Sequence, residues 1–405
     1  MFPGVRQRWL PGALSKKQMK QLIDEVYISG VTDFNKSADY SSIDLHISDE
    51  GYRMKHGSVK PFSGAYSTLL RDSNIAEKLD PDSDSCFKLE PTKCYVFKLK
   101  EVLNGNLANT NVYGQATAKS SIGRLDVIAR LIVDSMSNYE YFDSKGYSAT
   151  GQMFLEIIPI SFGIRVKEGA SLSQIRFFYG DSEESIIRDK KFIESVLHGS
   201  RNGEGYLTVE LTNISLNSHE VTAFCARDLI PGDCYIDIWK KGKNETPCPS
   251  KFWRFIKLDN NRRLKLENGK FYILRSKERI ALPPGVAVYA RAMDETLGEM
   301  RIHYAGFAHP FFGLERADGQ KGTPLIFEVR AHNVDVSLGN GERLAKLIFY
   351  RMSEAAEPEE NGDRAEEKKE YANQELKLSK YFRDWPQDFN LDEDGNLKLP
   401  EETAS

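Results

Sequence analysis

The chain has 405 residues, 40% hydrophobic and 28% charged, with a net charge of −4 at pH 7. That length suits two to three domains at about 150 residues each, and the absence of any run of about 18 apolar residues excludes a helix that spans a bilayer. The slightly acidic balance gives no global attraction to nucleic acid, so a polyanionic ligand must be gripped by local cations and backbone donors.

The opening Met1-Phe2-Pro3-Gly4-Val5-Arg6 has no apolar core behind a basic start, which leads us to expect no secretory signal and a cytoplasmic location. Ser15-x-x-Gln18 is a capping-box pattern, and Met19, Leu22, Ile23 and Val26 follow at amphipathic spacing until Gly30, predicting an early helix. Beyond it, short runs rich in β-branched and aromatic residues alternate with Gly, Pro, Asn and Asp, as in Cys94 to Phe97, Tyr206 to Leu211 and Phe271 to Leu274. The fold class is therefore mainly β, in sandwich or barrel-like units with Greek-key or jelly-roll winding. Cys86, Cys94, Cys225, Cys234 and Cys248 are odd in number and form no Cys-x-x-Cys pair, which reads as reduced thiols.

Three segments can carry chemistry. Lys119-Ser120-Ser121-Ile122-Gly123-Arg124 brackets two hydroxyls and a glycine with two cations, either a cradle for phosphate oxygens or a solvated turn. Glu156 and Glu328 each sit in an apolar strand, where a carboxylate has a raised pKa suited to a general base. Arg330 shares a face with Glu328 and offers the alternative of a salt bridge across the sheet. His303 to Gly313 is a Gly- and aromatic-rich turn, fit either for close backbone approach to a planar ring or for packing its aromatics in the core.

The charged stretch Asp181 to Leu197, followed by Gly199 to Gly203, is the expected junction, with exposed residues near 195 to 205. This divides the chain into 1–195, 196–355 and a closing tail 356–405. The run Ser353 to Glu360 is too polar for a core and is expected to be mobile, whereas Leu376, Leu378, Tyr381, Phe382 and Trp385 should dock on a surface or cover a site.

The halves are also repeats. Setting Glu156-Ile157 over Glu328-Val329 gives an offset of 172 (328 − 156), which carries Gly169 onto Gly341, Leu172 onto Leu344, Ile175 onto Leu347 and Phe177 onto Phe349. Absences narrow the chemistry further. There is no His-x-Glu with Pro-Cys-x-x-Cys of the zinc deaminases, no phosphate loop, no nucleophile elbow and no His-Glu-x-x-His. With seven scattered histidines, no catalytic zinc or other transition metal is expected.

Taken together, Lys119 to Arg124, Tyr304-Ala305-Gly306-Phe307 with Pro310, Phe327-Glu328, Tyr371-Ala372-Asn373-Gln374 and the early Ser42-Ile43-Asp44-Leu45 resemble the dCTP deaminases of the dUTPase-like superfamily, in the long form with two tandem dUTPase-like domains. The resemblance implies two distorted jelly-roll, β-clip type β-barrel domains with a few short helices, and hydrolytic deamination of dCTP to dUTP. By the same analogy Glu328 is the base, Ser120 and Arg124 orient water and stabilise the developing charge, Lys119, Ser121 and Gln374 hold the triphosphate with its Mg²⁺, and Tyr371 binds substrate from the closing segment. The backbone of His303, Tyr304 and Ala305 reads the base edge, and His309 stands at the sugar where the family has Asp. Phe311 replaces a family Gly. The first half keeps the Ser-Ser-x-x-Arg element and the second keeps hairpin and Glu, so one composite site per chain is expected, within or between chains, with Glu156 a structural relic. The resemblance also implies a homo-oligomer, a trimer by analogy with single-domain relatives, and dTTP as a feedback ligand. Competing readings are a dUTP pyrophosphatase, a bifunctional enzyme releasing dUMP, or a nucleotide-binding regulator without turnover.

Overall fold

The computed structural model describes residues 9–108, 110–146, 151–199, 203–229, 234–240, 245–258, 263–292, 300–303, 306–314, 316, 318–358 and 373–398. The β-branched and aromatic runs form two large sheets, ten-stranded in the first half and eleven-stranded in the second, with short helices between strands.

The winding repeats. In the first sheet Ser171–Tyr179 lies between Ile43–Met54 and Val112–Ala118, while Tyr95–Leu103 lies between Ile43–Met54 and Gln152–Pro159. In the second, Arg343–Arg351 lies between Tyr206–Glu210 and Val286–Ala292, while Phe271–Ile280 pairs with Ala223–Ala226 and Thr323–Ala331. A shift of 172 residues moves the bounds of Ser171–Tyr179 onto those of Arg343–Arg351, so the offset read in the sequence is a structural register. Gly169 and Gly341, aligned by it, turn the chain with left-handed φ of +82° and +79°, a conformation that strains any residue with a Cβ.

The early helix spans Lys16–Asp24 behind a complete Ser15 and Gln18 capping box. It buries Met19 and Leu22. Val26 departs from the expected apolar face: it is exposed, at φ +58°, and leads the chain out of the helix.

Alternation along Gln152–Pro159 sends Leu155 and Ile157 into the main core and Phe154 into a smaller cluster on the other face. The main core is shared. It gathers Leu131 and Phe97 from the first half, Phe224, Trp253 and Ile273 from the second, and Leu376, Leu378, Tyr381, Phe382 and Phe389 from the tail. Each such apolar side chain contributes about 1.5–3 kcal/mol by leaving water, so tail and halves form one packed unit. All five cysteines are free thiols.

Packing revises two expectations. The segment near 195–205 is exposed only in part: Ser195, Gly199 and Glu204 are exposed, whereas Val196, Leu197, Gly203 and Gly205 are buried. Ile186–Ile187 and Leu197–His198 already pair with strands of the second sheet, which therefore begins ahead of residue 196. The start of the polar run is not loose. Ser353 N–H donates to Ala13 O at 2.7 Å and Ala356 N–H to Pro284 O at 2.9 Å, pinning it to both halves; residues 359–372 lie outside the described set.

Candidate active site

Strand Thr323–Ala331 holds Glu328 between Ile273 on one neighbouring strand and His303 on the other. The apolar residues around Glu328 leave it only 6% exposed. Opposite it, from the first half, comes a one-turn helix, Ser120–Gly123, entered through Lys119. A Cβ on Gly123 would lie 3.2 Å from Glu328 Oε2 and 3.4 Å from Oε1, so the glycine brings the turn against the carboxylate. Arg124 Nε follows at 3.9 Å from Glu328 Oε1, a distance for charge attraction rather than a hydrogen bond. These groups belong to one chain and come together from its two halves.

Burial pushes the Glu328 carboxyl up to about 8; the Arg124 guanidinium pulls it down and the Asp126 carboxylate pushes it up further. Arg330, the alternative partner for Glu328, turns away and pairs with Asp126, also donating to Ser161 Oγ at 3.0 Å. The cross-sheet salt bridge thus belongs to Asp126. Sequence reasoning passed over that residue, although it lies two positions beyond Arg124 in the same polar turn.

The other expected residues fall into groups. Ser120 Oγ would be 3.7 Å from a Cβ on Gly306, so it meets the expected base-reading segment of the second half; that segment is not a β-hairpin, because Met300–His303 pairs with Thr323–Ala331 and Phe307–Ala308 with Val286–Ala292. Lys119 Nζ is 2.6 Å from the buried Asp44 Oδ2, which pairs the cation within the first half. Ser121 is buried, and its carbonyl accepts from Ser379 Oγ at 2.6 Å. Gln374 is buried as well. Its Oε1 accepts from Arg124 Nη2 at 2.8 Å, and its Nε2 donates to Pro324 O at 3.3 Å. The tail therefore lies over the meeting point of Arg124 and Glu328. Tyr304, Ala305 and Tyr371 lie outside the described residues, and of His303 only the backbone register against Glu328 is described.

His309 faces the seam between the halves. Its Nδ1 is 3.1 Å from Ser41 Oγ and 3.4 Å from Arg176 Nη2, and its Nε2 is 3.8 Å from Asp39 Oδ2. Arg176, another residue the sequence reading missed, is fully buried. It donates to Ser41 O, Val288 O and Ala308 O and lies over the Phe307 ring at 4.1 Å, tying that segment to the first half. Phe311 takes φ +69° where a glycine would be unstrained, with its ring 5.0 Å from that of Tyr40.

Glu156, the repeat partner of Glu328, is fully buried and saturated. Arg130, directly across the strand, donates to Oε1 from Nε at 3.0 Å and Nη2 at 2.5 Å, while Ser58 and Tyr139 donate to Oε2 at 2.5 and 3.1 Å. Among the described residues no group of three or more His, Cys, Asp or Glu side chains is placed to hold a metal ion.

Comparison with known proteins identifies the family and the fold. No curated protein sequence matches the chain. A crystal structure of 2'-deoxycytidine 5'-triphosphate deaminase from Agrobacterium tumefaciens superposes with a TM-score of 0.74 at 26% identity, covering 86% of this chain and 99% of that one. The family model of the 2'-deoxycytidine 5'-triphosphate deaminase N-terminal domain matches residues 10–181, and that of the C-terminal domain matches residues 182–382. With both domains present in tandem over nearly its whole length, the chain belongs to the dCTP deaminase family, in its long two-domain form.

Proposed function

We propose that this dCTP deaminase hydrolyses dCTP to dUTP and ammonia at the pocket where Glu328 meets Gly123 and Arg124. That meeting, within one chain and between halves that each lack part of the site, is the observation that carries the reading. Glu328 takes a proton from water, and the hydroxide formed attacks C4 of the cytosine ring. Glu328 passes that proton to ring N3 and then moves the proton of the new C4 hydroxyl to the exocyclic amino group; the C4–N bond breaks, ammonia leaves, and the ring keeps a carbonyl oxygen at C4 and an N–H at N3. A carboxyl raised to about 8 is a strong enough base for the first step and a strong enough acid for the second. Ser120 and the Arg124 guanidinium orient water and offset the charge that develops as C4 becomes tetrahedral.

Lys119, Ser121 and Gln374 hold the triphosphate, Tyr371 binds substrate from the closing segment, and Mg²⁺ enters with the nucleotide as the counter-ion of the phosphate oxygens. The backbone of His303 to Ala305 reads the base edge, and His309 lies toward the sugar. A homo-oligomer, a trimer above all, and feedback by dTTP complete the proposal; light scattering and inhibition by dTTP check them. The deciding experiment incubates purified protein with dCTP and Mg²⁺, assays ammonia and separates nucleotides by anion exchange. Ammonia with dUTP is expected. Ammonia with dUMP would make the enzyme bifunctional, and dCTP binding without ammonia would make the chain a regulator.

A further inference from the structure

We propose that Glu375 is a positioning residue, a latch that docks in a cage of three arginines and thereby sets Gln374 on Arg124. Glu375 follows Gln374 directly. Its Oε1 accepts from Arg279 Nη1 at 2.8 Å and Arg316 Nη2 at 3.1 Å, and its Oε2 accepts from Arg275 Nη1 at 3.0 Å and Arg279 Nη2 at 3.1 Å. All three guanidiniums belong to the second half. Arg275 and Arg279 project from strand Phe271–Ile280, the neighbour of the Glu328 strand, with Arg275 opposite Ile326. Residues two apart share a sheet face, so Arg275 and Glu328 lie on the same face, one pleat apart. Arg316 also donates to Gln374 O at 3.4 Å.

The consequence runs through one residue. With Glu375 fixed by charge-assisted bonds, the Gln374 amide has its orientation set and holds Arg124 beside Glu328. The cage carries three positive charges against Glu375 and Asp318, which pairs with Arg316 at 2.5 Å. A cage with that surplus favours the tail's carboxylate over any neutral replacement. Apolar anchors further along, Leu378, Tyr381 and Phe382, hold the tail to the core without specifying where Gln374 points. A lid already seated spares the substrate the cost of ordering it, and apparent affinity scales with the fraction of molecules in the competent state.

The role in catalysis rests on the reading of Arg124 and Glu328 as the reaction centre, and two measurements let the latch and that reading fail separately. Hydrogen exchange on the full chain, without nucleotide, reads the latch alone. In Glu375→Gln, amides from Gln374 to Leu378 should exchange at least tenfold faster, with those near Phe389 unchanged; equal protection in variant and wild type overturns the latch. Steady-state kinetics with dCTP read the coupling. Glu375→Gln should raise KM about tenfold with kcat within about twofold, Glu375→Asp should recover part of the loss, and Glu375→Gln with Arg279→Met should be no worse than either alone. Additive losses, or an unchanged KM beside faster exchange, overturn the coupling, and a matching thermal midpoint in the variants excludes general unfolding as the cause.

Discussion

The two glutamates aligned by the repeat occupy the same strand position and have opposite fates. Glu156 faces Arg130 across the sheet and takes four hydrogen bonds from Arg130, Ser58 and Tyr139. Glu328 faces His303 instead, and among the described residues only Arg124 comes within ion-pair distance, at 3.9 Å. A saturated carboxylate is a structural element, since its lone pairs are committed and nothing is left to take a proton. A buried carboxylate with one loose cation is a poised one. The repeat places one carboxylate in each copy of the strand, and the partners differ: Arg130, Ser58 and Tyr139 gather on Glu156, while Glu328 has Arg124 at 3.9 Å.

The sharpest test exchanges the same atom in both copies. Glu328→Gln should lower kcat at least 1,000-fold, the scale of losing a general base together with its charge, with little loss of stability. Glu156→Gln should leave kcat within a few fold and cost about 1–3 kcal/mol of stability, because an amide cannot accept from all the donors gathered there. Ammonia release and thermal melts on the two variants decide it, and equal kinetic losses would break the distinction. Next in size is Arg124→Met, expected to lower kcat about 100- to 1,000-fold by removing the cation beside the developing charge.

The acidity of Glu328 gives a further test. Glu328 must lose its proton to act as a base, so kcat/KM should climb about tenfold per pH unit and level off near pH 8. Arg124 lowers that pKa and Asp126 raises it. Arg124→Met should therefore move the limb to higher pH, and Asp126→Asn to lower pH. For stability the sign is reversed from that of a salt-bridged carboxylate, whose pKa folding lowers. The folded chain keeps a proton on Glu328 that the unfolded chain has already lost between the ordinary carboxyl range and about pH 8, so this residue's contribution falls as pH rises through that window. Glu328→Gln should be more stable than wild type at pH 9, by about 2 kcal/mol, and no such gain is expected at pH 4.

Much of this site was legible in the sequence because it depends on local pattern. Lys119 to Arg124 and Phe327-Glu328 are short, and the 172-residue offset was visible as repeated Gly169 and Gly341, both later found at positive φ. What was hidden depends on contacts between residues far apart in the chain. Arg330 lies on the same strand face as Glu328 and was a reasonable partner, yet Asp126, 204 residues away, captures it. The charged stretch before Leu197 looked like a linker because its helices are short and polar, but Ile186 and Leu197 are strand residues of the second sheet. Composition also misjudged Ser353 to Ala356, whose polar backbone is held by Ala13 and Pro284.

The smallest expected effect lies in the turn after Phe307–Ala308, where sequence and backbone disagree. Phe311 holds φ +69°, which costs a residue with a Cβ about 1 kcal/mol, and its contact with Tyr40 returns about 0.5–1.5 kcal/mol. Phe311→Ala keeps the strained backbone and loses the ring, so it should destabilise by about 1–2 kcal/mol. Phe311→Gly loses the same ring but relieves the strain, offset in part by the greater entropy of an unfolded glycine, and should be the more stable of the two. Glycine exceeding alanine reverses the order found in helices and strands, so thermal melts of this pair report on the backbone conformation itself. If alanine proves the more stable, the left-handed turn is wrong and the segment does not enter the seam beside Tyr40.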